Sequence, residues 1–316
     1  MAVTRVRASM ARMSPLAIAA TLVFCACFGI GCGGDESEQT TTPFPADVKV
    51  ANLEEADVGY YERGSGDPLV MLIGTGSTMA EWDPALLRLL ARDHRLILFD
   101  YPGVGESGPW RGRTFSDLAA TTVELMDHLG IERAAILGWS MGGFVAQRLA
   151  IEHPDRVSAL ILAGTNPGSP EAVLGTPNAQ AIDSDPNPTD AQILSLLYPP
   201  AQQAEGRGFL RRLEMASEDG EIPDDFDVPA KTVDRQVAAE DPWLRSSQNL
   251  DELSTIEAPT LAAAGSTDPV TPPENMRLIA DRVEGAELSI LPGSHAFLFQ
   301  SRNEFADEVA GLTGAD

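Results

Sequence analysis

The stretch Ala134-Ala135-Ile136-Leu137-Gly138-Trp139-Ser140-Met141-Gly142-Gly143 decides how this chain is read. An apolar run of strand character meets a Gly-x-Ser-x-Gly turn, and a helix-forming segment, Phe144 to His153, follows at once. A serine pinned on a sharp turn between a strand and a helix projects its hydroxyl away from its own backbone. The flanking glycines remove the β-carbons that would collide there. The helix adds its dipole and its unpaired N–H groups to the space beside the hydroxyl. Ser140 is therefore the candidate nucleophile. A turn rich in small residues has the same local spelling, so the weight falls on partners elsewhere in the chain.

Outward from this turn, strand and helix alternate. Val48 to Leu53 and Val58 to Glu62 read as two strands joined by a turn. Leu69 to Ile73 is wholly apolar, which suits a strand buried on both faces of a parallel sheet, and Arg95 to Asp100 reads the same way. Helices are expected over Trp82 to Arg92 and Thr114 to Leu129, the latter with apolar positions on one face and Gly130 placed to end it. After a strand at Val157 to Ala163 the pattern breaks. Residues 166–258 are rich in Pro, Asp, Gln and Ser, with short helical pieces at Ala191 to Leu197, Gly208 to Ala216 and Val233 to Ala239. So long a segment without structure is improbable inside a compact domain, so it reads as an inserted helical lid. Strands resume at Pro259 to Ala264 and Glu287 to Leu291, with helices at Pro273 to Val283 and Ala296 to Leu312. The fold class expected is α/β: a mostly parallel central sheet flanked by helices, with a helical cap. The organisation expected is a leader over 1–31, a flexible tether over 32–47, core over 48–165, cap over 166–258 and core again over 259–316.

Composition narrows the function. A formal net charge of −25 over 316 residues argues against nucleic acid, whose phosphates need a basic surface. All three cysteines, Cys25, Cys27 and Cys32, lie near the start, so the rest of the chain holds neither a disulfide framework nor a cysteine nucleophile. Arg5, Arg7 and Arg12 followed by the apolar stretch Pro15 to Ile30 read as a secretory leader, its apolar core short of the ~20 residues a membrane-spanning helix needs. Gly29-Ile30-Gly31-Cys32 resembles a bacterial lipoprotein box, which implies cleavage before Cys32 and its lipidation. A glycine stands three places before the cysteine where that box carries a leucine-like residue. Cys27, or plain secretion, is the alternative. The acidic, Thr-rich run Gly33 to Asp47 has the composition of a tether. The expected location is the bacterial cell envelope, with a membrane contact through the lipid anchor alone.

A nucleophilic serine needs a base to take its proton and an acid to orient that base. Of four histidines, His94, His128 and His153 have ordinary structural explanations. His295 lies in a Pro-Gly-Ser loop after the last strand, at the sheet edge where ligands bind. Asp268 terminates a strand and is followed by Pro269; its alternative role is helix capping.

The order Ser140, Asp268, His295 on this alternating pattern resembles the α/β-hydrolase superfamily. The resemblance covers residues 48–316. It rests on Gly138 to Gly143, on Phe99-Asp100-Tyr101-Pro102-Gly103-Val104-Gly105-Glu106-Ser107, on Gly265-Ser266-Thr267-Asp268-Pro269-Val270-Thr271-Pro272 and on Gly293-Ser294-His295. It implies that the Met141 amide forms half of an oxyanion hole. The second amide comes from the loop after the third strand, where the superfamily's usual His-Gly is replaced by Gly74-Thr75. Gly76 matches the donor position, with Thr75 as the fallback. It further implies a small acyl substrate, attack by Ser140 with His295 as base and Asp268 as its orienting acid, and no metal or organic cofactor. Trp139 and Phe297 are candidates for shaping the acyl pocket, and Tyr198, Phe209, Phe226 and Trp243 for apolar wall in the lid. Ester hydrolysis is the leading activity. Amide or lactone cleavage, cofactor-free haloperoxidase or perhydrolase chemistry, and a catalytically silent ligand-binding member are the alternatives.

Overall fold

Apolar strands with little polar surface on either face can only be satisfied between two helical layers, and that is where they lie. The computed structural model describes residues 46–183 and 189–314. The expected leader, Cys32 and nearly all of the expected tether fall outside the described residues. In chain order the elements are β1 (Lys49–Asn52), β2 (Asp57–Gly64), β3 (Asp67–Leu72), α1 (Pro84–Leu90), β4 (His94–Phe99), α2 (Phe115–His128), β5 (Ala134–Trp139), α3 (Met141–Glu152) and β6 (Val157–Ala163). They continue with α4 (Pro177–Asp183), α5 (Asp190–Leu197), α6 (Gln203–Glu218), α7 (Ala230–Arg245), α8 (Gln248–Glu252), β7 (Thr260–Gly265), α9 (Glu274–Arg282), β8 (Glu287–Leu291), α10 (Phe297–Gln300) and α11 (Arg302–Thr313).

The eight strands form one sheet in the order β1-β2-β4-β3-β5-β6-β7-β8. The β1–β2 and β2–β4 pairs are antiparallel and the remaining pairs parallel. Every residue of β5 is buried, as the continuous apolar run requires, and its neighbours β3 and β6 put it near the middle of the sheet. The expected last helix is two helices, broken at Ser301. Its hydroxyl donates to the Pro292 carbonyl at 2.7 Å, tying the break to the loop after β8. Helix starts follow their side chains. Thr114 and Asp117 form a reciprocal capping box on α2, and Asp83 caps α1 with proline at the first turn.

Helices α4 to α8 make the cap inserted between β6 and β7. Buried polar ties hold it to the core. Arg212 of α6 pairs with Asp83, whose side chain is fully buried. Arg63 of β2 pairs with Glu221, which lies just past α6. Thr232 of α7 donates to the Gly103 carbonyl at 2.8 Å. Charged pairs removed from water in this way lock a relative position, because breaking one strands a buried charge. Among the described residues no helix is long and apolar enough to cross a membrane.

Candidate active site

The turn after β5 carries the strain that its sequence calls for. Ser140 sits at φ 56° and ψ −123°, the only non-glycine residue with positive φ among the described residues. Such a conformation costs on the order of 1–3 kcal/mol and persists only where the surroundings over-determine it. Here they do. The Ser140 N–H donates to the Ala163 carbonyl at 3.0 Å, and the Gly143 N–H donates back to the Ser140 carbonyl at 2.9 Å. A β-carbon at Gly142 would stand 2.0 Å from the Leu72 carbonyl oxygen, and one at Gly138 would stand 2.4 Å from that of Gly142. Strand and helix therefore approach too closely for any side chain. Met141 is the first residue of α3, where a backbone N–H has no acceptor within the helix.

The loops after β7 and β8 bring the other two residues together. His295 Nδ1 lies 2.8 Å from Asp268 Oδ2, with the Asp268 side chain fully buried. The carboxylate is saturated with donors. Its Oδ1 accepts from the backbone N–H groups of Val270 and Thr271 at 2.8 and 3.0 Å, and its Oδ2 accepts from the Thr271 hydroxyl at 3.0 Å. With the Thr271 proton committed to the carboxylate, the hydrogen at Nδ1 belongs to the imidazole and points at Oδ2. That assignment leaves Nε2 as the free base position. Trp139 ties the two halves of the site: its indole N–H donates to the His295 carbonyl at 3.0 Å, and its ring lies 5.5 Å from the imidazole.

Ser140 and His295 open into one cavity of about 390 Å³. Trp139, Phe144, Phe209 and Leu244 supply apolar wall, with Leu196 and Leu197 from α5. This volume suits a small organic molecule. Of the aromatic residues expected to shape the pocket, Trp139 and Phe209 line it. Phe297 does not: it is fully buried and packs edge-on against Phe305, because its place at the start of α10 turns it into the core. Tyr198 and Phe226 are interior to the cap, and Trp243 packs on Phe115 and Phe144 away from the cavity. His94 is buried with its ring nitrogens on the Leu90 carbonyl and the Thr313 hydroxyl, a structural role as expected.

The expected oxyanion donor departs from its assignment. The Gly76 N–H donates to Gln236 Oε1 of α7 at 2.8 Å, so a cap side chain already holds it. Thr75, the fallback, lines the cavity beside Ser140, and its hydroxyl donates to Glu240 Oε1 at 3.0 Å. Gln236 and Glu240 are one helical turn apart on α7, so a single face grips both residues of the loop. Gln236, Glu240, Thr271 and Glu81 were not singled out from sequence. Thr271 carried a signal, lying three residues after Asp268 where a hydroxyl can close a turn on that carboxylate. The others become visible only when distant segments pack.

Two carboxyl groups near this site are raised by burial. Asp100, which accepts the Met79 N–H at 2.7 Å, and Glu81, on the cavity wall, are each pushed up to about 7.

Comparison with known proteins places this geometry. The alpha/beta hydrolase fold profile matches residues 67–301, and the chain belongs to that family. A protein named carbamate hydrolase RutD from Azorhizobium caulinodans is 26% identical over 265 residues, covering 82% of this chain and 96% of its own. A poly(3-hydroxyalkanoate) depolymerase of Ectopseudomonas oleovorans is 31% identical over 237 residues, covering 73% of this chain and 78% of its own. Among solved structures, a hydrolase from Pseudomonas aeruginosa superposes with a TM-score of 0.67 at 27% identity. It covers 85% of this chain and 99% of its own. The protein is thus a hydrolase of this fold.

Proposed function

We propose that the protein is a serine hydrolase that cleaves a carboxylic ester, or a similar small acyl substrate, through an acyl-enzyme. The observation carrying this reading is the 2.8 Å contact of His295 Nδ1 with the buried Asp268 carboxylate, beside a cavity that the strained Ser140 shares. His295 Nε2 takes the hydroxyl proton as Ser140 Oγ attacks the acyl carbon. Asp268 holds the tautomer and stabilises the imidazolium. The amides of Met141 and Thr75 receive the negative oxygen, each such donor lowering the barrier by about 3 kcal/mol. His295 then returns the proton to the leaving group, and water, deprotonated by the same imidazole, frees the acid. The names of the relatives, a carbamate hydrolase and a polyester depolymerase, agree with attack on an acyl carbon.

A serine-directed phosphonate tests the reading. Rapid stoichiometric labelling at Ser140, lost in Ser140→Ala, together with turnover of chromogenic esters of graded chain length, supports it. Absence of labelling in folded protein favours a silent binding member of the fold.

We also propose that the chain is exported and held at the cell envelope by lipid on Cys32, on the strength of the basic leader, the apolar stretch and the cysteine that follows. Cys32→Ala then moves the protein from membranes to the soluble fraction. A variant that stays membrane-bound overturns the assignment.

A further inference from the structure

One amide on the cavity wall is oriented by its neighbours and has donors left over. Asn166 follows β6 and lines the cavity that Ser140 and His295 share. Its Oδ1 accepts two hydrogen bonds, from the Gly168 N–H and from the Trp243 indole N–H, each at 3.0 Å. Two N–H donors can converge only on the oxygen of an amide, so the orientation of this side chain is settled and Nδ2 occupies the other branch. Nδ2 donates to no group among the described residues, yet it is not sealed from solvent as an orphaned core atom would be. The loop around it is held firmly. The Asn166 carbonyl accepts from Gln147 Nε2 at 3.0 Å, the Pro167 carbonyl accepts from Asn249 Nδ2 at 2.7 Å, and a β-carbon at Gly168 would stand 2.4 Å from the Trp243 ring. Neighbouring donors on the wall are committed elsewhere: the Thr75 hydroxyl to Glu240, the Thr271 hydroxyl to Asp268 and the Trp139 indole to the His295 carbonyl. The turn itself does not call for an amide. An aspartate would accept the same two N–H groups, and more strongly because it is charged. What asparagine adds is the NH₂ group.

We propose that Asn166 is a specificity-determining residue whose Nδ2 donates to a second carbonyl oxygen of the substrate, a ketone, ester or amide lying apart from the carbonyl that Ser140 attacks. The inference rests on the serine-hydrolase reading and names the substrate class of that site. An N–H donor selects an acceptor and gains nothing from a methylene in its place. A carbonyl oxygen is satisfied by one or two neutral N–H groups and has no hydrogen of its own to place, as a hydroxyl would. A carboxylate drawn out of water asks for more than a neutral amide supplies. Because the loop already fixes the side chain, little rotamer freedom is lost when the bond forms.

The test compares kcat/KM for matched probes. The acyl arm sets p-nitrophenyl 4-oxopentanoate and 5-oxohexanoate against the plain pentanoate and hexanoate, with the p-nitrophenyl half-ester of glutarate as the anionic control. The alcohol arm sets 3-oxobutyl butyrate against butyl butyrate, and the arm that responds tells which side of the scissile bond carries the second carbonyl. In the wild type the oxo probe of at least one arm should exceed its plain partner by about tenfold, and the glutarate half-ester should not exceed the pentanoate. Asn166→Asp keeps the acceptor for Gly168 and Trp243 and removes the donor, so the oxo preference should fall to unity or below. A purely structural Asn166 would slow both members of a pair alike and leave their ratio unchanged. Should Asn166→Asp not fold, inhibition of the wild type decides: 4-oxopentanamide should compete about tenfold more tightly than pentanamide. Equal inhibition by the two amides, no oxo preference in either arm, one that survives Asn166→Asp, or a preference for the glutarate half-ester overturns the proposal while ester turnover and phosphonate labelling persist. Loss of labelling and of all turnover instead overturns the serine-hydrolase reading beneath it.

Discussion

The backbone N–H of Gly76 and the side-chain carbonyl of Gln236 lie 2.8 Å apart although 160 residues separate them in the chain. This bond joins the loop after β3 to the middle of the cap helix α7, and Glu240 repeats the tie one turn later through the Thr75 hydroxyl. The cap is therefore part of what shapes the loop beside Ser140, as well as a cover over it.

Cutting that tie should be felt in the chemical step. Gln236→Leu removes the hydrogen bond that the Gly76 N–H donates to the Gln236 side chain, at a net cost of about 0.5–1.5 kcal/mol, and frees the loop to shift. The expected outcome is a fall in kcat of roughly 10- to 100-fold with a smaller change in KM, read with a short-chain chromogenic ester. A rise in kcat would mean instead that Gly76 is the oxyanion donor and that Gln236 competes for it.

Asp268→Asn should preserve the loop, because an amide oxygen can still accept from the Val270 and Thr271 N–H groups. It should nevertheless lower kcat by about 10⁴, because an amide no longer selects the imidazole tautomer with its base nitrogen toward Ser140. Thermal melting close to that of the wild type alongside the lost rate would separate this effect from misfolding. A loss of less than about tenfold would remove Asp268 from the mechanism.

Two alanine substitutions at glycine should act in opposite directions. At Gly142 the new β-carbon would stand 2.0 Å from the Leu72 carbonyl oxygen at the centre of the sheet, so Gly142→Ala should leave no soluble folded protein. At Gly311, within α11, the β-carbon would meet nothing within 4 Å. Gly311→Ala should stabilise the protein by up to about 1 kcal/mol, seen as a higher denaturant midpoint at unchanged slope.

Stability should depend on pH through Glu81. Burial raises its carboxyl from an ordinary 4.5 to about 7, so the folded chain holds a proton there that the unfolded chain has lost. Unfolding releases that proton between about pH 4.5 and 7, so stability from this group is fully present below that range, falls across it and is level above it. Glu81→Gln keeps the group neutral at every pH. Its melting temperature relative to the wild type should accordingly climb from pH 4.5 to 7 and then stay constant, the gain corresponding to a few kcal/mol at most. A melting-temperature difference that does not vary with pH would show that Glu81 ionises as freely folded as unfolded.

Local pattern alone was enough for the alternation of strand and helix and for the helices inserted between β6 and β7, and it singled out Ser140, Asp268 and His295, of which the structure joins Asp268 to His295 and opens Ser140 and His295 into one cavity. Each signal sits within a few adjacent residues: a strand without polar interruption, a turn in which only glycine fits, and loops at strand ends in a characteristic chain order. A continuous apolar run must be buried on both faces wherever it goes, and a strained turn between strand and helix is spelled by its own neighbours. What tertiary structure decided is which side chains from distant segments share one space. Phe297 turned into the core while Phe144 and Leu244 joined the cavity, Gln236 took the N–H expected to stay open at Gly76, and Glu81 came to line the cavity that Ser140 opens into. These outcomes depend on packing between elements far apart in the chain, and no spacing along the chain records a contact of that kind.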